Sequence, residues 1–206
     1  MSVFYGSSYN LARGDLIQIQ IRATNDYGDG LYSAINTVGA LVETVPSQVS
    51  PAPSKNSGTN NTYIDVSWTA VTGNDTGSTV ENLTITYDFR GRLKGASSWT
   101  DLSLETSQTS YQTTDSDGLT ITEGNEYEFY VVAKNKYGDS IDSDIGTIKA
   151  STLPDVVPDV TTANNSIYVQ VAFGTTPGRG EDIIDYDILI LQSSSEGGQY
   201  ISDTTN

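Results

Sequence analysis

Any chemistry in this chain has to be done without the usual groups. The sequence holds 26 Asp and Glu, 10 Lys and Arg, and neither His nor Cys. That removes the commonest general base near neutral pH, the commonest transition-metal ligand and every thiolate nucleophile. It also rules out a disulfide framework and any thiolate metal site. Paired carboxylates can act as acid and base, but with 26 acidic residues some pair always lies close, and no spacing singles one out. The reading is that the chain is not an enzyme, has no catalytic residues and carries no cofactor. Asp115-Ser116-Asp117-Gly118 has part of a calcium-loop spacing, yet Thr113 stands where the first carboxylate is needed, so no metal site is assigned. Asp139, Asp142 and Asp144 follow a turn and could gather a cation. The simpler account is a solvated acidic edge that discourages sideways strand pairing.

Four Asn-x-Ser/Thr triplets, at Asn60, Asn74, Asn82 and Asn164, are glycosylation candidates that would carry N-linked glycans in a eukaryotic secreted protein. Trp68 and Trp99 could form a sugar platform, but Trp68 sits in an alternating apolar pattern and reads as core. Trp99 reads as packing at a sheet edge. The net charge of −16 is spread along the chain and argues against nucleic acid and anionic membrane surfaces as partners. No run approaches the ~18 apolar residues of a membrane span, and Met1-Ser2-Val3-Phe4-Tyr5-Gly6 has neither the charged start nor the apolar run of a signal peptide.

One stretch organises the rest. From Gly124 to Asp139, Tyr127, Phe129, Val131 and Ala133 alternate with Glu128, Tyr130, Val132 and Lys134. Period two places one set on a buried face and the other towards solvent. Asn135-Lys136-Tyr137-Gly138-Asp139 supplies the turn that follows. The same pattern occurs 110 residues earlier, where Ile17, Ile19, Ile21 and Ala23 alternate before Asn25-Asp26-Tyr27-Gly28-Asp29. A strand and its turn recurring at about one domain length mark a tandem array.

Gly124-x-x-Tyr127-x-Phe129-x-Val131-x-Ala133-x-Asn135-x-x-Gly138 resembles strand F of a fibronectin type III domain running into its F–G loop. The resemblance implies an all-β fold of tandem immunoglobulin-like sandwiches, seven strands each, with Trp68 on strand B and Tyr127 at the start of strand F as core markers. It extends through the middle of the chain. Ile64, Val66 and Trp68 take the place of strand B, and Leu83, Ile85 and Tyr87 that of strand C. Trp99 and Leu102 belong to the next edge, residues 109–113 to strand E and residues 145–150 to strand G. Arg13-Gly14-Asp15 spells a tripeptide that resembles an integrin ligand, which the family displays on the F–G loop. Here it falls before strand F, where a glycine is wanted for the turn.

Thr44-Val45-Pro46-Ser47 and Thr152-Leu153-Pro154-Asp155 match at a separation of 108 residues and read as domain boundaries. Residues 45–151 are then one complete domain. Residues 1–44 correspond to strands E, F and G, with a short strand at Val3-Phe4-Tyr5, a long one over 16–24 and a last one over 38–42. Ile17 replaces the corner tyrosine there. Residues 152–206 correspond to strands A, B and C. Ile167, Val169, Val171 and Phe173 form one alternation, with Phe173 as core marker in the place of Trp68. Tyr186, Ile188 and Ile190 form another. Asn60 and Asn164 open equivalent Asn-Asn-Thr and Asn-Asn-Ser segments.

The two ends are therefore expected to be complementary halves. Their apolar faces, Ile17, Ile19 and Ile21 in the head and Val169, Val171, Ile188 and Ile190 in the tail, need completion by a neighbouring copy or by chain continuation. The expected protein is a structural repeat of an extracellular or cell-surface filament, stalk or fibre, with itself as partner. The competing reading, an adhesive or ligand-binding module or the spacer region of a secreted protein, calls for unusual aromatic or basic loops in one repeat only. The loops here are small, polar and alike.

Overall fold

The computed structural model describes residues 9–79, 83–191 and 199–202. Regular structure among them is β, apart from two short 3-10 turns at Gly73–Thr76 and Asp115–Asp117.

Residues 14–42 form a long antiparallel hairpin. At its tip β1 (Thr24–Asn25) pairs with β2 (Gly28–Asp29), Thr24 opposite Asp29. The Asn25 side chain closes the turn by accepting the Tyr27 N–H at 2.9 Å. Further down, Ser33 donates its N–H to the Ile21 carbonyl at 2.8 Å, and Ile17 to that of Ala40 at 2.9 Å. Side chains interrupt the ladder, because Ile19 N–H finds Asn36 Oδ1 at 2.7 Å and Ile21 N–H finds Ser33 Oγ at 3.2 Å. The strands expected over 16–24 and 38–42 are consequently regular only at the tip and at the Leu16–Leu41 bridge. The strand expected at Val3-Phe4-Tyr5 lies outside the described residues.

The middle of the chain is a two-layer sandwich. One sheet is β3 (Ser54–Lys55), β4 (Asp65–Ser67) and β7 (Ser110–Gln112), in the order β3-β4-β7. The other contains β5 (Thr86–Leu93), β6 (Thr100–Thr106), β8 (Glu126–Asn135), β9 (Gly138–Asp139) and β10 (Gly146–Lys149). Its order is β10-β8-β5-β6, with β9 closing a hairpin on β8. The inward residues of both sheets interleave. Phe89 stacks between Trp68, ring centroids 5.0 Å apart, and Phe129, 5.4 Å apart. Ile64, Val66, Tyr127, Val131 and Ile148 surround them, all buried. Each large apolar side chain so buried contributes roughly 1.5–3 kcal/mol. Gly91 lets β5 approach this layer, since a Cβ there would lie 2.7 Å from the Phe129 ring.

The tail holds two antiparallel strand pairs. β11 (Thr161–Asn165) pairs with β12 (Tyr168–Ala172), Thr161 opposite Ala172, and β13 (Leu189–Leu191) pairs with β14 (Tyr200–Ser202), Leu189 opposite Ser202.

The head hairpin and the β8–β10 hairpin are the same object, one repeat apart. Gly14 N–H to Val42 O at 2.8 Å recurs as Gly124 N–H to Ala150 O at 2.9 Å. Ser33 N–H to Ile21 O at 2.8 Å recurs as Ser143 N–H to Val131 O at 2.9 Å. Even the interruption is copied, because Val131 N–H is taken by Ser143 Oγ at 3.0 Å.

Candidate functional site

Two features stand out from this scaffold: a joint between consecutive units that occurs twice, and a pair of apolar faces that occur once each.

The first joint begins where residue 44 leaves the head. Thr44 N–H donates to the Gly77 carbonyl at 3.0 Å, and Ser47 N–H to that of Asp75 at 2.8 Å. In the second joint Thr152 N–H donates to the Arg179 carbonyl at 3.0 Å, and Asp155 N–H to that of Pro177 at 3.2 Å. Each linker thus adds a short antiparallel rung to the loop between the second and third strands of the next unit. A glycine completes each loop, Gly77 at φ +100° and Gly180 at φ +94°, a conformation that disfavours L side chains. Both positions are also crowded. A Cβ on Gly77 would lie 2.1 Å from the Thr44 carbonyl oxygen, and one on Gly180 2.5 Å from that of Ala150.

Side chains lock the joints. Arg13 of the head donates to the Asn74 carbonyl. Asn135 Nδ2 bridges the carbonyls of Thr44 at 2.9 Å and Thr76 at 2.8 Å. Glu43 accepts from Ser78 Oγ at 2.8 Å and from the Tyr137 hydroxyl. The Tyr137 hydroxyl first, and Ser78 second, hold the Glu43 carboxyl below the usual range, while Glu43 pushes the Tyr137 phenol up. In the second joint Arg179 pairs with Asp155 at 2.7 Å and Glu123 at 3.7 Å, and Lys149 pairs with Glu181 at 2.8 Å.

The Arg13-Gly14-Asp15 tripeptide is part of this machinery. Arg13 spans the joint, Asp15 caps its own turn by accepting the Ala12 N–H at 2.7 Å, and a Cβ on Gly14 would meet Thr79 Oγ1 at 2.0 Å.

The faces are the second feature. Ile19 and Ile21 are 58% and 70% exposed, although the residues at the same places one repeat later, Phe129 and Val131, are fully buried. In the tail Val169 is 65% exposed and Ile190 56%, whereas their counterparts Ile64 and Tyr87 are buried. Ile17, Val171 and Ile188 are half-buried. Phe173, expected as a core residue like Trp68, is instead 39% exposed. It packs on Tyr186 at 4.8 Å, but no second sheet covers it among the described residues. Val171, Phe173, Tyr186 and Ile188 with Val157 and Val160 line an apolar groove of about 200 Å³.

The glycosylation candidates lie in different settings. Asn164 is exposed on β11, and Asn74 is exposed at the first joint. Asn60 is held in a turn, its Oδ1 accepting from Thr62 N–H at 2.8 Å and Thr62 Oγ1 at 2.9 Å. Asn82 lies outside the described residues. Trp99 is engaged on the outer face of the larger sheet, edge-on to Tyr130 at 4.6 Å and with the Arg92 guanidinium 4.2 Å above its ring. Among the described residues no group of three or more acidic side chains could hold a metal ion.

Tyr127, the other expected core marker, is buried, and its hydroxyl ties down the turn before β8. It donates to the Thr120 carbonyl at 2.9 Å and accepts the Thr122 N–H at 2.8 Å. This tyrosine corner, with a three-stranded sheet packed on a four-stranded path, is the arrangement of immunoglobulin-like sandwiches. The middle sandwich has the fold of a fibronectin type III domain. No family model matches the chain, and no curated protein sequence does. Among solved structures it is similar to the chicken CNTN1 FN1-FN3 domains, at 18% identity and TM-score 0.47, over 75% of this chain and 51% of that one. It is similar to a set of titin domains at 18% identity and TM-score 0.39, over 53% of this chain and 33% of that one. The chain thus spans about half the length of the CNTN1 structure and a third of the titin structure.

Proposed function

We propose that this chain is a structural repeat protein: a stretch of a stiff array of fibronectin type III-like domains in an extracellular or cell-surface filament, stalk or fibre. The observation that carries this reading is the joint. A corresponding pair of backbone hydrogen bonds links head to middle and middle to tail, with a glycine at positive φ as the acceptor residue in the first joint and next to it in the second. A linker that pairs with the corresponding loop at each junction restricts how successive domains can turn, which favours a stiff array over a string of loose beads. The half-sandwich faces at the ends are completed by equivalent strands, from a neighbouring copy or from chain continuation. The charge of −16 keeps such rods apart sideways. N-linked glycans at exposed triplets such as Asn74 and Asn164 fit the same setting.

Residual dipolar couplings on the full chain test the stiffness. One alignment tensor should fit the β8–β10 hairpin and residues 14–42 together. Independent tensors for the two would mean a limp linker and would end the reading.

A further inference from the structure

We infer that Arg179 is an electrostatic latch: its charge holds the second joint shut, and that joint loosens as ionic strength rises while the first does not. The inference rests on the array reading and adds to it a joint whose stiffness depends on salt.

The two joints correspond bond for bond. Thr44 and Ser47 donate to Gly77 and Asp75, and Thr152 and Asp155 donate to Arg179 and Pro177. Arg179 therefore stands where the first joint has Gly77. It shares the positive φ of that position, +52° against +100°. Glycine enters this region freely, and an L side chain is disfavoured there. Gly180 follows at φ +94°, so two successive residues have positive φ. A strained residue persists only where its surroundings hold it, and the surroundings here are gripped by its own side chain.

The guanidinium turns back onto the linker. Its Nε donates to Asp155 Oδ1 at 2.9 Å and its Nη2 lies 2.7 Å from Asp155 Oδ2, a two-pronged hold on one carboxylate. Asp155 is also the linker residue whose N–H donates to the Pro177 carbonyl, so backbone and side chains close a ring. Nη1 lies 3.7 Å from Glu123 Oε2. Glu123 precedes the Gly124 turn that leads into β8, and it accepts from Asn61 Nδ2 at 2.7 Å. One arginine thus ties together the middle sandwich, the linker and the loop of the tail. Lys149 on β10 adds a second crossing, to Glu181 at 2.8 Å. Asp155 holds the Arg179 guanidinium above its ordinary value, and Lys149 holds the Glu181 carboxyl below its own.

The first joint has different chemistry. Asn135 bridges two backbone carbonyls, Arg13 donates to a third, and Glu43 accepts from two hydroxyls. Salt screens pairs of exposed charges far more than hydrogen bonds to neutral partners. All three ion pairs of the second joint have partly exposed side chains on both sides.

Amide exchange on the full chain reads both joints at once, because Thr152 and Asp155 report on the second and Thr44 and Ser47 on the first. Between about 0.01 and about 1 M salt the Debye length falls from about 30 to about 3 Å. Over that range exchange at Thr152 and Asp155, relative to the β8 amides, should rise by about threefold to tenfold, the span that exposed ion pairs allow. Exchange at Thr44 and Ser47 should keep pace with β8. An equal response in both linkers overturns the inference, as does no response at Thr152.

Two variants separate charge from backbone. Arg179→Gly relieves the disfavoured φ and removes the latch, whereas Asp155→Asn keeps the backbone and removes one charge. In low salt each should exchange at Thr152 as fast as the wild-type chain does in high salt. Arg179→Gly that protects Thr152 as well as the wild type, or better, means that the side chain contributes nothing and overturns the latch. Trp68 fluorescence confirms that the middle sandwich stays folded in each variant. If one alignment tensor fits head and middle while Thr152 ignores both salt and substitution, the latch is wrong and the array stands. If head and middle need independent tensors, the array reading fails whatever the linker amides show.

Discussion

Gly77 and Thr44 are in such close contact that neither can change independently. The Thr44 N–H reaches the Gly77 carbonyl at 3.0 Å, and the space where a Gly77 Cβ would sit is taken by the Thr44 carbonyl oxygen, 2.1 Å away. One residue is the end of a unit and the other the loop of the next, so the contact couples the fold of a domain to the direction of its neighbour.

Replacing Gly77 by alanine should therefore act twice. The positive φ costs an L residue on the order of 1–3 kcal/mol in such a tightly determined setting, and the methyl group must displace the linker. The urea midpoint followed through Trp68 should fall, and the shared alignment of residues 14–42 with the β8–β10 hairpin should be lost. Gly73, also at positive φ but with open space around its missing Cβ, is the control. Alanine there should lower the midpoint and leave the alignment intact.

Tyr127→Phe removes a hydroxyl that serves the Thr120 carbonyl and the Thr122 N–H. Leaving partly buried backbone groups without that partner costs about 1–3 kcal/mol. The aromatic ring stays, so the core with Phe89 and Phe129 should persist. Equilibrium denaturation should show the loss with little change in the denaturant slope, and amide exchange should speed up first at Thr122.

How much of this was legible beforehand differs from residue to residue. The β8 strand was, because Tyr127, Phe129, Val131 and Ala133 alternate without interruption. So was its earlier copy, because Asn25 and Gly28 repeat the turn. Phe89, the centre of the aromatic stack, was not singled out. The alternation of Leu83, Ile85 and Tyr87 seemed complete, and Gly91 hid the fact that β5 continues to Leu93. The joints were legible on one side alone: the matched segments at 44–47 and 152–155 marked the linkers but not what they bind. Their bonds run between backbone atoms of residues far apart, such as Thr152 and Arg179, and backbone atoms are the same in every sequence. Beyond the linkers, the signals were Gly77, Gly180 and an arginine at position 13 whose tripeptide reads as a turn before strand F. Phe173 was expected in a core that the described residues do not close.

Acid should loosen the first joint. Tyr137 and Ser78 hold the Glu43 carboxyl below its ordinary value in the folded chain. A carboxyl depressed on folding contributes stability that is present above its unfolded value and is lost as pH falls through the folded one. The alignment shared by head and middle should thus be constant near neutrality and decay only below the ordinary carboxylate range. Glu43→Gln should remove that acid transition and leave the joint weaker at neutral pH, since the amide binds the two hydroxyls less strongly than a carboxylate does. An acid transition that persists unchanged in the variant would assign it to another group.

The outer face of the larger sheet gives the last prediction. Trp99 is held edge-on by Tyr130 and covered by Arg92, which also pairs with Glu128 at 2.7 Å. An aromatic pair is worth about 0.5–1.5 kcal/mol beyond its burial, and a cation over an indole at a partly exposed site about 0.5–1 kcal/mol. Trp99→Ala should lower stability by about 1–2.5 kcal/mol plus the lost burial, and Arg92 should keep its bond to Glu128. If Trp99 were instead a platform for sugars, oligosaccharides would quench its fluorescence and the alanine variant would lose binding while keeping its stability. The indole is already occupied on its edge and on one face, so titration of the wild-type chain with oligosaccharides should leave the Trp99 emission unchanged, read against Trp99→Ala to subtract Trp68.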